Sequence, residues 1–426
     1  MKYLVNRLLS LALVLVLVVM LPLIIFIRAN IKKSCSVEQK NILFGFDPLI
    51  NNKFWAQMLK NPNYRSDSVV LGFYSINKAS DFDYVINNRA SFLYYFFYCF
   101  LEYDIHVMSF NGGLISKLGF SWLEPIVYRA IGIKTIIMAY GSDVSVYDFI
   151  NKPSYFHVLN SFYPQNDHRN KLIKKNLRRW QKYADFVVPA MFFYQGLYRN
   201  DLFTPNSLNF PVEEIEVIPR HQNEPKICIV HSPNHRIIKG SEYIINVIER
   251  LKNKFDIEFI ILEGKKNEEV LSILKNKADI FIEKLIGPSY ALSAIEAMSY
   301  GVPVIGSADN GDWDDLAKAF RRYSFLRECP ITSASIEDLE EKLTMLCESP
   351  RLRHEIALKS RDYVMRYHSF KAGKVTFNEI IKYVNGERGD LKNFYHPLCG
   401  EFKKIFPSEL YSQKNQRPLA NNQTVD

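Results

Sequence analysis

The hydrophobic pattern of the chain opens with a run that no charge interrupts. Leu8 to Ile27 is 20 residues long and contains neither an acid nor a base. At about 1.5 Å rise per residue, a helix of that length matches a hydrocarbon core about 30 Å thick. Ser10 and Pro22 are tolerable within it. The run is longer than the apolar region of a cleaved signal, and no small-residue cleavage site follows, so residues 1–34 are predicted to be an uncleaved, single-pass transmembrane anchor. Lys2 and Arg7 precede the run and Arg28, Lys32 and Lys33 follow it, a slight bias that puts the C-terminal side in the cytoplasm.

Beyond the anchor, short apolar runs alternate with helical periodicity. Strands are predicted at Asn41–Phe46, Ser68–Tyr74, Ile105–Phe110, Lys134–Tyr140, Ala184–Val188 and Ile215–Pro219. The pattern then restarts, with strands at Lys226–His231, Ile257–Leu262, Ala278–Glu283 and Val302–Gly306. Helices are predicted between them at Ser241–Lys252, Glu268–Lys275 and Ser289–Tyr300. Continuous apolar strands separated by helices mark parallel sheets covered on both faces. The polar stretch Pro219–Pro225 divides two such series. The expectation is therefore an α/β chain with two doubly wound domains facing a cleft, at residues 40–222 and 223–370. Ligands of such sheets bind beyond the carboxyl ends of the strands. Helices at Ser335–Glu348, Arg351–Tyr367 and Ala372–Val384 follow, and residues 371–426 read as a C-terminal helix and polar tail.

Composition narrows the function. Apolar residues make up 48% and charged residues 23% of the chain, which suits folded domains rather than disorder. The net charge of +9 admits nucleic acid, anionic lipid or phosphorylated ligands as partners, but no groove-reading motif is present, which argues against nucleic acid. Neither the six cysteines nor the histidines show metal-ligand spacing, so no metal is expected. The cysteine scatter fits a reducing compartment.

Chemistry concentrates between Gly287 and Ile305. On the helix predicted from Ser289, the residues Ser289, Ser293, Glu296 and Tyr300 share one stripe, and nearly all the rest is apolar. A helix apolar almost all round is buried. Its one carboxylate, Glu296, then needs donors: ribose hydroxyls would serve, as would an internal ion pair. The helix start after Gly287-Pro288 would favour an anion such as a diphosphate.

Glu296-Ala-Met-x-x-Gly301-x-Pro303-Val304 resembles the donor-site signature of retaining GT-B glycosyltransferases, the family-4-like enzymes also called glycosyl transferases group 1. The resemblance implies two Rossmann-like domains of the GT-B type. It implies that Glu296 binds the ribose of a sugar nucleotide, and that the segment of Gly287, Ser289, Tyr290 and Ala291 holds the donor diphosphate. That family often has a second Glu eight residues upstream. Pro288 stands there in this chain, and the nearest upstream acid is Glu283. After the first strand of the second series, the loop Ser232–Ser241 ends in Lys239-Gly240, as in that family, and Arg236 and Lys239 are the cations implied to grip the donor phosphates. A developing diphosphate charge needs such fixed cations; ordinary surface charge is the plainer reading of both.

In the first half, Tyr140-Gly-Ser-Asp143 ends a buried strand. Asp143 could bind an acceptor hydroxyl or transfer a proton, or simply cap a turn; Asn111-Gly112-Gly113 is similarly placed. Lys171, Lys174, Lys175, Arg178, Arg179 and Lys182 form a basic amphipathic helix over 171–182, suited to anionic lipid or to a lipid-linked diphosphate, or to solvent.

The expected function is transfer of a sugar from a nucleotide sugar to a lipid-linked or oligosaccharide acceptor in cell-surface polysaccharide or glycoconjugate synthesis. The resemblance implies retention of configuration and no cofactor. The membrane contacts are residues 8–27 and the basic helix, with the catalytic part cytoplasmic. Two alternatives stand beside it. One is a membrane-tethered subunit that binds sugar or nucleotide without catalysis. The other is an NAD-dependent oxidoreductase, against which the lack of a G-x-G-x-x-G after either first strand counts.

Overall fold

The computed structural model describes residues 2–34, 39–150, 153–162, 166–189, 197–217, 226–287, 289–308, 324–396 and 400–405. The chain forms two compact units. The first comprises Met1–Phe149, Gln165–Ser207 and Lys374–Lys392, and the second Ile150–Pro164, Leu208–Gly373 and Asn393–Asp426.

The first unit is built on strands β1 (Lys40–Phe46), β2 (Tyr64–Leu71), β3 (Tyr84–Ile86), β4 (Ile105–Met108), β5 (Lys134–Met138) and β6 (Phe186–Val188). They form one sheet in the order β3-β2-β1-β4-β5-β6, and every pairing is parallel. Its helices are α1 (Lys2–Ser34), α2 (Ile50–Leu59), α3 (Arg89–Glu102), α4 (Leu114–Lys117) and α5 (Glu124–Ile131). After α6 (Pro153–Phe162), which belongs to the second unit, α7 (Asn166–Tyr183) completes this layer. β3 has only three residues, too few for an apolar run to announce it. The strand predicted at Ile215–Pro219 is irregular over its described residues, 215–217.

The apolar helix α1 is long enough to cross a membrane, over Arg7–Asn30. It also carries a covered stripe. Val14, Leu17, Ile24 and Arg28 are buried, Ser10, Leu13, Met20, Leu21 and Ile27 are half-buried, and the intervening positions are exposed. Leu17 and Ile24 join the core of the first unit, beside residues of α3 and α5.

The second unit repeats the plan with β7 (Ile227–His231), β8 (Ile257–Ile261), β9 (Ile280–Ile282), β10 (Val304–Gly306) and β11 (Thr332–Ser333). Their order is β11-β10-β9-β7-β8, again all parallel. The helices between them are α8 (Arg236–Lys239), α9 (Ser241–Leu251), α10 (Asn267–Asn276) and α11 (Leu292–Ser299). Next come α12 (Ser324–Arg327), α13 (Leu339–Glu348), α14 (Pro350–Tyr367), α15 (Phe370–Val384) and α16 (Glu401–Ile405). The last part of α15 belongs to the first unit, where Phe377 packs at 5.8 Å from the Phe44 ring and 6.4 Å from Trp55.

Candidate active site

In the second unit the predicted donor residues collect at the carboxyl ends of β7 and β9 and at the start of α11. The helix predicted from Ser289 begins three residues later, at Leu292, with Ala291 as an extended N-cap. Ser289 and Tyr300 therefore lie outside it. The three preceding residues form a tight loop instead: Ser289 adopts φ 64, unusual for a residue with a side chain, and its hydroxyl accepts from the N–H of Tyr290. Gly287 adopts φ 89, and a Cβ there would sit 2.9 Å from the Tyr155 ring. Pro288 lies outside the described residues. In the first turn of α11 the N–H of Ala294 donates to the Ala291 carbonyl at 3.1 Å, and the N–H groups that a helix start leaves without an intrahelical acceptor suit an anion.

Tyr290 is buried, with its hydroxyl 2.8 Å from that of Tyr363 and 2.9 Å from His368 Nε2. His368 Nδ1 lies 2.8 Å from the Leu208 carbonyl, which can only accept. Nδ1 therefore carries the proton, Nε2 accepts from Tyr290, and Tyr290 accepts from Tyr363. Burial lowers His368 to about 4, which keeps the ring neutral. The Tyr290 side chain is thus committed to the core.

Glu296 sits in the middle of α11 and is 4% exposed. Among the described residues, the side-chain amide of Asn267, at the start of α10, is its hydrogen-bond donor, at 2.8 Å from Oε1. Burial pushes the carboxyl up to about 7, and the Asn267 bond only partly offsets this. Such a group gains from further donors.

Lys239 ends α8 and is buried, paired with Glu283 immediately after β9. Ser293, one turn before Glu296, lies 3.5 Å from the same Glu283 oxygen. The other oxygen of Glu283 is buried and has no hydrogen-bond partner among the described residues, with Lys284 Nζ at 3.9 Å. Burial acts to raise the Glu283 carboxyl, but Lys239 and Lys284 hold it below the ordinary range. Burial lowers Lys284 to about 8. Arg236, at the other end of α8, points its guanidinium to the surface, where Glu242 and Glu263 hold it at 2.6 and 3.0 Å. The structure thus joins Lys239, Glu283 and Ser293, with Glu296 one turn further along α11 beside Asn267, while Arg236 has carboxylates of its own.

The first unit carries a second polar cluster at its strand ends. Asp143 is buried and accepts from the N–H groups of Tyr140 at 3.0 Å, Gly141 at 2.9 Å and Phe110 at 3.2 Å. Burial outweighs these bonds and raises its carboxyl to about 7, and nearby Asp47 adds to the rise. Asp47, just after β1, accepts from Lys117 Nζ at 3.0 Å and from the Asn111 amide at 3.2 Å. Asn111 also lies 3.0 Å from the Tyr140 hydroxyl. Glu124, fully buried, accepts from the N–H groups of Gly113 and Ile115 at 2.9 and 3.0 Å and so fixes the Asn111-Gly112-Gly113 turn. Gly112 has φ 78, and a Cβ on it would lie 2.6 Å from Glu124. Sequence reasoning missed Asp47, Lys117 and Glu124; the only signal for Glu124 was its place before Pro125, an acid at a helix start. Among the described residues no group of three or more His, Cys, Asp or Glu could hold a metal ion.

No family model matches the chain, and no curated protein matches it. Solved structures do. HepE of Anabaena, in complex with UDP-glucose, aligns with a TM-score of 0.53 at 12% identity, covering 80% of this chain and 99% of that one. MnaA of S. aureus with UDP aligns at 0.43 with 11% identity, covering 84% and 100%. The glycosyltransferase SnogD from Streptomyces nogalater aligns at 0.43 with 11% identity, covering 81% and 100%. Identities of this size speak to fold alone, and the HepE alignment carries that argument. With its two parallel-sheet α/β units, the chain has the GT-B fold expected from its sequence.

Proposed function

We propose that the chain is a glycosyltransferase that takes a sugar from a nucleotide sugar bound in the second unit. The observation that carries this reading is Glu296, a buried carboxyl with one protein donor, one turn beyond a serine that touches the Lys239–Glu283 pair. The two ribose hydroxyls of a nucleotide would supply the missing donors. The start of α11 and Lys239 would hold the diphosphate, which takes over from Glu283 as the counter-ion of Lys239. As the bond from the sugar to the diphosphate breaks, charge grows on the phosphate oxygens that these groups face. A new bond forms to an acceptor oxygen, with retention as the resemblance at Glu296–Val304 implies. In the first unit, Asp143 is the candidate for holding the acceptor hydroxyl. Its carboxyl near 7 suits proton exchange at neutral pH. The acceptor is lipid-linked or an oligosaccharide: α1 brings the protein to a membrane, and Lys171, Lys175, Arg178 and Lys182 make an exposed cationic stripe on α7. The binding of UDP-glucose by HepE supports a nucleotide-sugar donor.

The Lys239–Glu283 pair also favours a second reading, a subunit that binds nucleotide sugar without turnover, because the one buried lysine of α8 is already neutralised.

Titration of the full chain with UDP, GDP, ADP and NAD, following thermal stability, tests the first reading. A nucleoside diphosphate at about 100 times its dissociation constant stabilises by about 2.7 kcal/mol, and Glu296→Ala loses that gain. Stabilisation by NAD alone, or by none of the four, sinks the proposal. Binding without transfer to any acceptor selects the binding subunit.

A further inference from the structure

The stripe along α1 constrains how the first unit meets lipid. It runs from Ser10 to Arg28, about 27 Å of helix at 1.5 Å per residue, nearly the thickness of a hydrocarbon core, about 30 Å. At its end, Arg28 is buried and donates to the carbonyls of Phe100, Leu101 and Tyr103 at 2.8, 2.9 and 2.9 Å, and to Asp104 at 3.1 Å. These are the carbonyls at and beyond the end of α3, which the helix itself leaves unpaired. The guanidinium therefore locks α1 to α3. A helix docked along its length in this way cannot cross a bilayer alone, because α3, α5 and the polar groups beneath them would have to follow it.

The rest of α1 is bare and apolar. Leu8, Leu15, Val19 and Phe26 are among its exposed side chains. The helices beside it add exposed apolar groups of their own, Leu93 and Tyr94 on α3, Ile126 on α5, and Trp122 just before α5 at 61% exposed. Exposed apolar side chains on helices that pack together are the kind of surface that meets a partner or a membrane. The bare part of α1 carries no charge between Leu8 and Ile27, so it suits acyl chains rather than headgroups. Tyr94 and Trp122 are the residue types that settle where acyl chains meet headgroups.

We propose that α1, α3 and α5 form one lipid-facing surface, by which the first unit sits partly immersed in a single leaflet instead of hanging from a free transmembrane span. This rests on the reading of α1 as a membrane element and is independent of the reaction catalysed.

The test uses the full chain with phosphatidylcholine–phosphatidylglycerol vesicles whose acyl chains are either plain or brominated. Bromine quenches only tryptophan that it can touch. Trp55 and Trp180 are buried, and the emission lost on Trp122→Phe isolates Trp122. The proposal expects the chain to float with the vesicles and the Trp122 emission to be quenched by the brominated lipid. Flotation with unquenched Trp122 means a free tether and overturns the proposal while leaving the anchor reading intact. Absence of flotation overturns both. Self-association in detergent that shields Trp122 from a water-soluble quencher would assign the face to a second copy and also overturn it.

Discussion

The raised carboxyl of Glu296 makes nucleotide binding pH-dependent with a defined sign. In the free protein the group titrates near 7 because burial disfavours its charge and Asn267 supplies only one bond. A ribose that donates two hydroxyls favours the ionised form, so binding selects carboxylate and releases a proton below pH 7. The apparent dissociation constant scales as one plus the ratio of protonated to ionised Glu296. With a pKa of about 7, that ratio is about 10 at pH 6 and about 0.1 at pH 8. Affinity should therefore rise about tenfold across this interval, about 1.4 kcal/mol. The terminal phosphate of a nucleoside diphosphate itself titrates near 6, so the quantity to measure is the difference between wild type and Glu296→Gln. Calorimetry in two buffers of unlike ionisation enthalpy gives both affinity and proton count. An equal pH slope in the two proteins, with equal proton release, would refute the assignment of Glu296 to the ribose.

The same shift bears on stability. The folded state keeps a proton that the unfolded state gives up in the ordinary carboxylate range, so stability falls as pH rises from about 4.5 to about 7 and levels above it. Glu296→Gln should flatten part of that slope in denaturant unfolding. Lys239→Met takes from buried Glu283 the nearer of its two cations and leaves Lys284 Nζ at 3.9 Å, a cost of up to about 3–5 kcal/mol; adding Glu283→Gln should recover most of the stability, while nucleotide binding stays lost in both variants. Tyr290→Phe removes the hydroxyl between Tyr363 and His368 and should cost about 1–3 kcal/mol in thermal unfolding with nucleotide affinity unchanged. Asp143→Asn keeps the acceptor for the Tyr140 and Gly141 N–H groups and loses the one for Phe110, so the fold should persist at a cost of about 1–3 kcal/mol, with nucleotide binding retained, while turnover falls about 10²–10⁴-fold if the carboxyl transfers a proton.

The fold was legible wherever burial on both sides of a sheet left unbroken apolar runs, as at β1, β5 and β7. Three-residue β3 and two-residue β11 are too short to leave such a mark. Glu296 was legible because it is the one charge on an otherwise apolar helix. Asn267 was not: it is an ordinary polar residue at a helix start, and its contact spans 29 positions. The late start of α11 escaped notice because Ser289 adopts a left-handed conformation that a glycine would have announced. The buried stripe of α1 was invisible for the opposite reason, since between Leu8 and Ile27 every position except Ser10 is apolar and periodicity needs contrast. The Lys239–Glu283 pair joins the end of α8, which follows β7, to the residue after β9, and the pairing of β7 with β9 in the sheet brings them together.

The most direct measurement is a crystal structure of the chain with the nucleoside diphosphate that stabilises it. Both ribose hydroxyls are expected within hydrogen-bond distance of Glu296, and the phosphates at the start of α11 with Lys239 turned from Glu283 towards them. Nucleotide bound elsewhere, with the Glu296–Asn267 and Lys239–Glu283 contacts undisturbed, would contradict the proposed function.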